Sequence, residues 1–318
     1  MIIIASFNSA SIKMSILFNT LNSNTTEKIE RRHTREPLSA AAVTPSPFAV
    51  LRASALFSTA SGRVKIAFAG VAAGVGSTTL CFAAAEYLAS LNASCRAGAK
   101  PGRRYISRNV TLLELDLKPE NPAGKSYDKI GIDRRFAGRD YISLYRLAAE
   151  GRPLHGLMNI DGGICWALRV PGEPLPTPDP TVLHRLVNNV TGDIILCDIS
   201  ATGIMDASGP LKGREALAAL LADFDHIVCV IDPLPSRLLA SVPAAEVCRA
   251  VAAAGVPITY IFNKLNAGVN FREVTRFTGV KDFLPFPAIP AEAVYSAEYA
   301  CRSLAPELAS SLSSLFPG

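Results

Sequence analysis

From Val64 onward the chain alternates between two textures: short unbroken apolar runs, and longer stretches in which apolar positions recur every three or four residues. The unbroken runs predict buried strands at 64–69, 111–115, 194–197, 227–231 and 258–262, because a strand covered on both faces needs no polar alternation. The helical spacing predicts helices at 77–91, 214–222 and 236–254. Strands and helices in alternation imply βα units. The expected fold class is therefore α/β, a doubly wound, mostly parallel sheet with helices on both faces.

Three stretches break the pattern. Residues 1–62 are rich in Ser, Thr, Asn and Ala without a sustained period, and Pro37 to Pro47 reads as linker, so this part is expected to be a flexible or disordered N-terminal extension. Met14 offers an alternative start within it. One domain is expected to occupy 63–318. The stretch 92–109, with Gly98, Pro101 and Gly102, reads as an inserted surface loop. Residues 117–190, with Gly124, Gly131, Gly138, Gly162 and Gly163, read as a less regular, variable region. At the far end Leu304, Leu308, Leu312 and Leu315 keep helical spacing but no Lys or Arg follows Arg302, so this tail is expected to pack on the domain, with membrane contact at most peripheral.

Composition narrows the function classes. The chain is 49% hydrophobic and only 19% charged, which suits a well-cored globular protein. Its net charge of +5 is spread out except at 28–35 and 96–108, and neither cluster is interleaved with aromatics, which argues against a DNA-binding surface. The seven cysteines form no C-x-x-C pair, as in reduced packing cysteines of a cytoplasmic protein. No apolar run reaches the roughly 20 residues needed to span a bilayer, and residues 1–21 lack the basic start of a secretory signal. The four histidines are too dispersed for a metal site, and Trp166 reads as core.

The candidate chemistry lies in Gly70-Val71-Ala72-Ala73-Gly74-Val75-Gly76-Ser77-Thr78-Thr79, between the first strand and the first helix. Small residues there let backbone N–H groups close around a phosphate, and the helix N-terminus adds its partial positive charge. Two later strands end in acids, Leu113-Glu114-Leu115-Asp116 and Leu196-Cys197-Asp198. In an open α/β sheet ligands bind beyond the carboxyl ends of the strands, so loop and acids converge on one crevice. Amides for phosphates, with hydroxyl and carboxylate oxygens for Mg²⁺, are what a nucleotide requires.

On these residues the chain resembles the MinD/ParA family of deviant Walker A P-loop ATPases, in the branch that includes TadZ, CpaE and BcsQ. Gly74-Val75-Gly76-Ser77-Thr78-Thr79 is similar to the family's G-V-G-K-T-T. The resemblance implies an ATP or ADP site with Mg²⁺: Gly74, Val75, Gly76 and Ser77 around the phosphates, Thr78 on the metal and Thr79 by the α-phosphate. It implies Asp116 as the residue positioning the attacking water, Glu114 in place of an Asp near the metal, and Asp198 as the Walker B aspartate. Asn263 would contact adenine, and Pro290 would flank the base. A homodimer and protein partners in a pilus or cell-surface machine follow by the same analogy, with the chain as spatial organiser or assembly factor. Two departures matter: the family's P-loop lysine falls on Ser77 and its signature lysine on Ala72. A comparable charge stabiliser is worth roughly 3 to 4 kcal/mol in a transition state, so weak or absent ATPase activity is expected.

Two other readings compete. One is a pseudo-ATPase scaffold that keeps the fold without nucleotide. The other is an NAD(P) oxidoreductase resembling the short-chain dehydrogenases, through Gly70-x-x-x-Gly74-x-Gly76, Asn188-Asn189 and Tyr260-x-x-x-Lys264. That pair acts together from one helical face. Tyr260 and Lys264 instead fall in a predicted strand, where residues four apart lie roughly 13 Å from each other.

Overall fold

The computed structural model describes residues 62–97, 108–115, 131–138, 140–150, 159–170, 180–207 and 210–317. Among them eight strands form one sheet in the order β3-β4-β2-β5-β1-β6-β7-β8. These are β1 (Val64–Gly70), β2 (Val110–Leu115), β3 (Ile160–Asp161), β4 (Ile164–Ala167), β5 (Ile194–Ser200), β6 (His226–Ile231), β7 (Ile258–Leu265) and β8 (Leu284–Pro287). All neighbours run parallel except the short β3–β4 hairpin.

The helices are α1 (Ser77–Ala97), α2 (Ile132–Arg135), α3 (Leu144–Ala149), α4 (Pro180–Asn189), α5 (Ala201–Ala207), α6 (Pro210–Leu221), α7 (Pro235–Ala253), α8 (Phe271–Thr278), α9 (Ala291–Ala300) and α10 (Ala309–Leu315), with a 3₁₀ turn at Pro306–Leu308. Every predicted strand and helix is present. The predicted 117–190 region is more regular than expected in its described parts: β4 pairs with β2 as a further parallel strand, and Trp166 on it is buried. The expected surface loop at 92–109 is corrected by α1, which continues through Ala97; residues 98–107 lie outside the described set. Residues 1–61, where the N-terminal extension was expected, also lie outside it.

The central strands are covered on both faces, as their apolar runs require. Ile66, Phe68, Leu112, Trp166, Leu196 and Val228 share a core with the buried side of α1. On the other face, α5 packs on β1 and α7 on β6. Cys248 of α7 and Cys229 of β6 are both fully buried on this face. Leu304, Leu308, Leu312, Leu315 and Phe316 close the α1-side core, so the C-terminal tail packs as its spacing predicts. Helices after β1 and after β6 thus leave on opposite faces. The carboxyl ends of these two adjacent strands form a topological switch point, the place where open α/β sheets bind ligands.

Candidate functional site

At that switch point the chain leaves β1 and turns through residues 71–76 into α1. Val71 N–H still reaches Val230 O on β6, at 3.4 Å, so the loop starts fixed to the sheet. Gly74 and Gly76 then take φ of +72° and +91°, which a side chain would strain. Space forbids one as well, since a Cβ at Gly76 would lie 2.5 Å from Asn263 Nδ2. The glycines therefore let other groups approach the loop backbone closely.

Those groups come from the β6–β7 side. Three successive carbonyls accept hydrogen bonds from three side chains: Ala73 O from Arg237, Gly74 O from Lys264, and Val75 O from Asn263 Nδ2 at 2.8 Å. A peptide unit is planar and trans, so the N–H of the next residue points opposite its carbonyl. The amides of Gly74, Val75 and Gly76 thus face away from these donors. Successive amides left free of such donors in a tight glycine turn are the groups from which an anion-binding concavity is built.

Thr78, in the first turn of α1, donates its hydroxyl to Asp198 Oδ2 at 2.7 Å. Strand register explains the meeting. Ile194 and Leu196 face the α1 core, so by the two-residue period Asp198 does too, at the carboxyl end of β5. Glu114 is its register partner on β2. Its carboxylate is fully buried and accepts the Arg169 N–H at 3.1 Å. Thr78 and Asp198 offer hard oxygen donors beside the amide cradle, which suits Mg²⁺.

The other expected site residues fall as follows. Ser77 opens α1, its Oγ packed where a Cβ on Gly70 would be, and Ala72 is buried. Thr79 borders, with Thr78, a cavity of about 110 Å³ whose far wall is Val294, Ala297 and Glu298 of α9. Pro290 is the exposed residue capping α9. Asn263 is 4% exposed with its Oδ1 unpartnered, turned to the loop backbone. Asp116 lies one residue past β2, outside the described set. A larger cavity, about 400 Å³ between Asn92, Thr111, Gly163 and Gly192, sits at the opposite, amino-terminal ends of the strands.

Sequence reading missed Arg237 and Asp232, and weighed Lys264 only as a dehydrogenase partner of Tyr260, not as a contact to the loop. Lys264 takes φ +59°, rare for a residue with a side chain, at an irregularity between Phe262 and Leu265 in the β7–β8 pairing. Such a bulge re-aims a side chain. Asp232, buried at the end of β6, accepts Leu234 N–H at 3.0 Å through Oδ1 and lies 3.4 Å from Lys264 Nζ through Oδ2. A basic residue directly after Asn263 was the only sequence signal.

The dehydrogenase arrangement is not formed. Tyr260 and Lys264 both lie on β7, Lys264 is committed to the loop, and burial pushes the Tyr260 hydroxyl pKa up, further from use as an acid. Asn188 and Asn189 end a helix, α4.

Architecture and loop together define a P-loop-type α/β domain with a strand, a glycine turn and a helix N-terminus at the sheet's switch point. In particular, the chain has the fold of the MinD and ParA proteins. A ParA family ATPase from Chlorobium tepidum superposes with a TM-score of 0.53 at 14% identity, over 80% of this chain and 96% of that one. MinD complexed with Mg-ADP from Pyrococcus horikoshii gives 0.51 at 16% identity, over 79% and 94%. MinD in the MinC:MinD complex of Aquifex aeolicus gives 0.52 at 13%, over 77% and 88%. No protein-family model and no curated protein matches the sequence.

Proposed function

We propose that this chain binds Mg·ATP or Mg·ADP at the loop of residues 74–79 and turns ATP over slowly or not at all. The observation carrying this reading is the Thr78–Asp198 pair, 2.7 Å apart, at the mouth of a turn whose amides face away from three side-chain donors. Thr78 and Asp198 would hold the metal, with Glu114 behind them, and the amides of Gly74 to Thr79 the phosphates. Asn263 and Pro290 would border the base. Bound Mg²⁺ would neutralise phosphate charge and polarise a phosphorus–oxygen bond. Asp116 would position water for any hydrolysis.

The solved structures of this fold include MinD with Mg-ADP and MinD with MinC, which supports a nucleotide-holding chain that has protein partners. By the sequence resemblance rather than by those structures, the chain would be a cytoplasmic homodimer that organises or assembles a pilus or cell-surface machine through protein contacts rather than DNA. One observation favours a second reading, a scaffold without nucleotide: Arg237, Lys264 and Asn263 already support the loop from within the protein.

A thermal-shift titration tests the choice. Ligand at one hundred times its Kd should stabilise the native state by about 2.7 kcal/mol. Mg·ADP is expected to raise the melting temperature of wild type, and much less that of Thr78→Ala or Asp198→Asn. Equal shifts in all three would remove the metal site as drawn. No shift with Mg·ATP or Mg·ADP would favour the scaffold.

A further inference from the structure

The loop lacks a lysine at both positions where the resemblance places one, yet two cations reach it from outside its own sequence. Lys264 comes from the bulged end of β7 and Arg237 from the first turn of α7, onto adjacent carbonyls. Lys264 does so at a left-handed backbone angle, a strained conformation that the surrounding structure must hold. Asp232 helps to hold it. Its own backbone contact to Leu234 leaves the second oxygen for the ammonium.

Resting on the nucleotide reading above, we propose that Lys264 and Arg237 are the positioning residues for anion binding at this loop and supply the positive charge that Ser77 and Ala72 do not. Each fixes a peptide plane: Arg237, on Ala73 O, sets the N–H of Gly74, and Lys264, on Gly74 O, sets the N–H of Val75. Both amides then stay directed at the phosphates. Each cation also raises the potential of the cradle through the peptide dipole it polarises. Their ligand is a di- or triphosphate group, and the lysine's side chain lies close along the turn: a Cβ on Gly76 would stand 3.6 Å from its Cε.

The test measures Mg·ADP and inorganic pyrophosphate binding by calorimetry across salt concentration for wild type, Lys264→Met, Arg237→Gln and Lys264→Arg. Removing either charge is expected to weaken both ligands by about tenfold and flatten the salt dependence. Lys264→Arg should restore most of the affinity, which a merely structural role would not require. Unliganded melting temperatures show whether each variant is folded; if Lys264→Met is not, Arg237→Gln and Lys264→Arg decide. Wild-type affinity and salt dependence in well-folded variants would overturn the inference and leave the nucleotide reading standing. Pyrophosphate binding that is lost in the variants, with no nucleotide binding by wild type, would do the reverse. A wild type that binds neither overturns both.

Discussion

His226 opens β6, the residue 8% exposed and its Nε2 2.8 Å from Thr259 Oγ1 on β7. Burial pushes its pKa down from 6.5 to about 4. Between those values the unfolded chain holds a proton that the folded chain does not, so stability rises with pH there and is lost as pH falls from 6.5 toward 4. The size is on the order of 3 kcal/mol at the acid end. Denaturant melts across that range should show a steeper loss for wild type than for His226→Gln; parallel curves would contradict the assignment. The site divides at the same scale. Thr78 and Asp198 were legible because each sits in a local pattern, a glycine turn or a strand end. Lys264 and Arg237 were not, because their role depends on a bulge in β7 and on the entry of α7, neither of which leaves a periodic trace.

Glu86, on α1, joins elements far apart in sequence. Its carboxylate accepts Ser303 Oγ at 2.6 Å and Leu304 N–H at 2.9 Å, with Arg135 at 3.5 Å, and desolvation raises its pKa. These contacts seat Leu304, the first apolar residue of the C-terminal tail in the core. Glu86→Ala should cost roughly 1 to 3 kcal/mol by stranding donors, and should expose residues 303–317 to protease first; Glu86→Gln, which keeps an acceptor, should cost less. Unchanged stability and cleavage in Glu86→Ala would show that the tail is held by its leucines alone. Strands with long apolar runs were readable, whereas β8 was not. Its Pro285 and Pro287 argue against a strand, but β8 is an edge, where a missing N–H need not pair. Toward the other edge β3 and β4 are too short for any period to emerge, and α1 passes its last predicted turn because nothing before Gly98 stops a helix.

For the molecule as a whole, the question is what charge around the loop can do when it comes from the β6–β7 side. Lys264 and Arg237 address loop carbonyls, on the side opposite the amides. From there they would attract a phosphate group about equally before and during transfer, and equal attraction raises affinity without raising kcat. A lysine at 77 or 72 would instead follow the charge as it develops. The chain is therefore expected to hold Mg·ATP while hydrolysing it at least a hundredfold more slowly than the enzyme median of about 10 per second, the loss corresponding to roughly 3 kcal/mol or more. Single-turnover phosphate release at saturating Mg·ATP measures this directly. Turnover near the median would mean that a group outside the described residues, or on a second copy of the chain, completes the site. A rate that rises steeply with protein concentration would identify the second copy as its source.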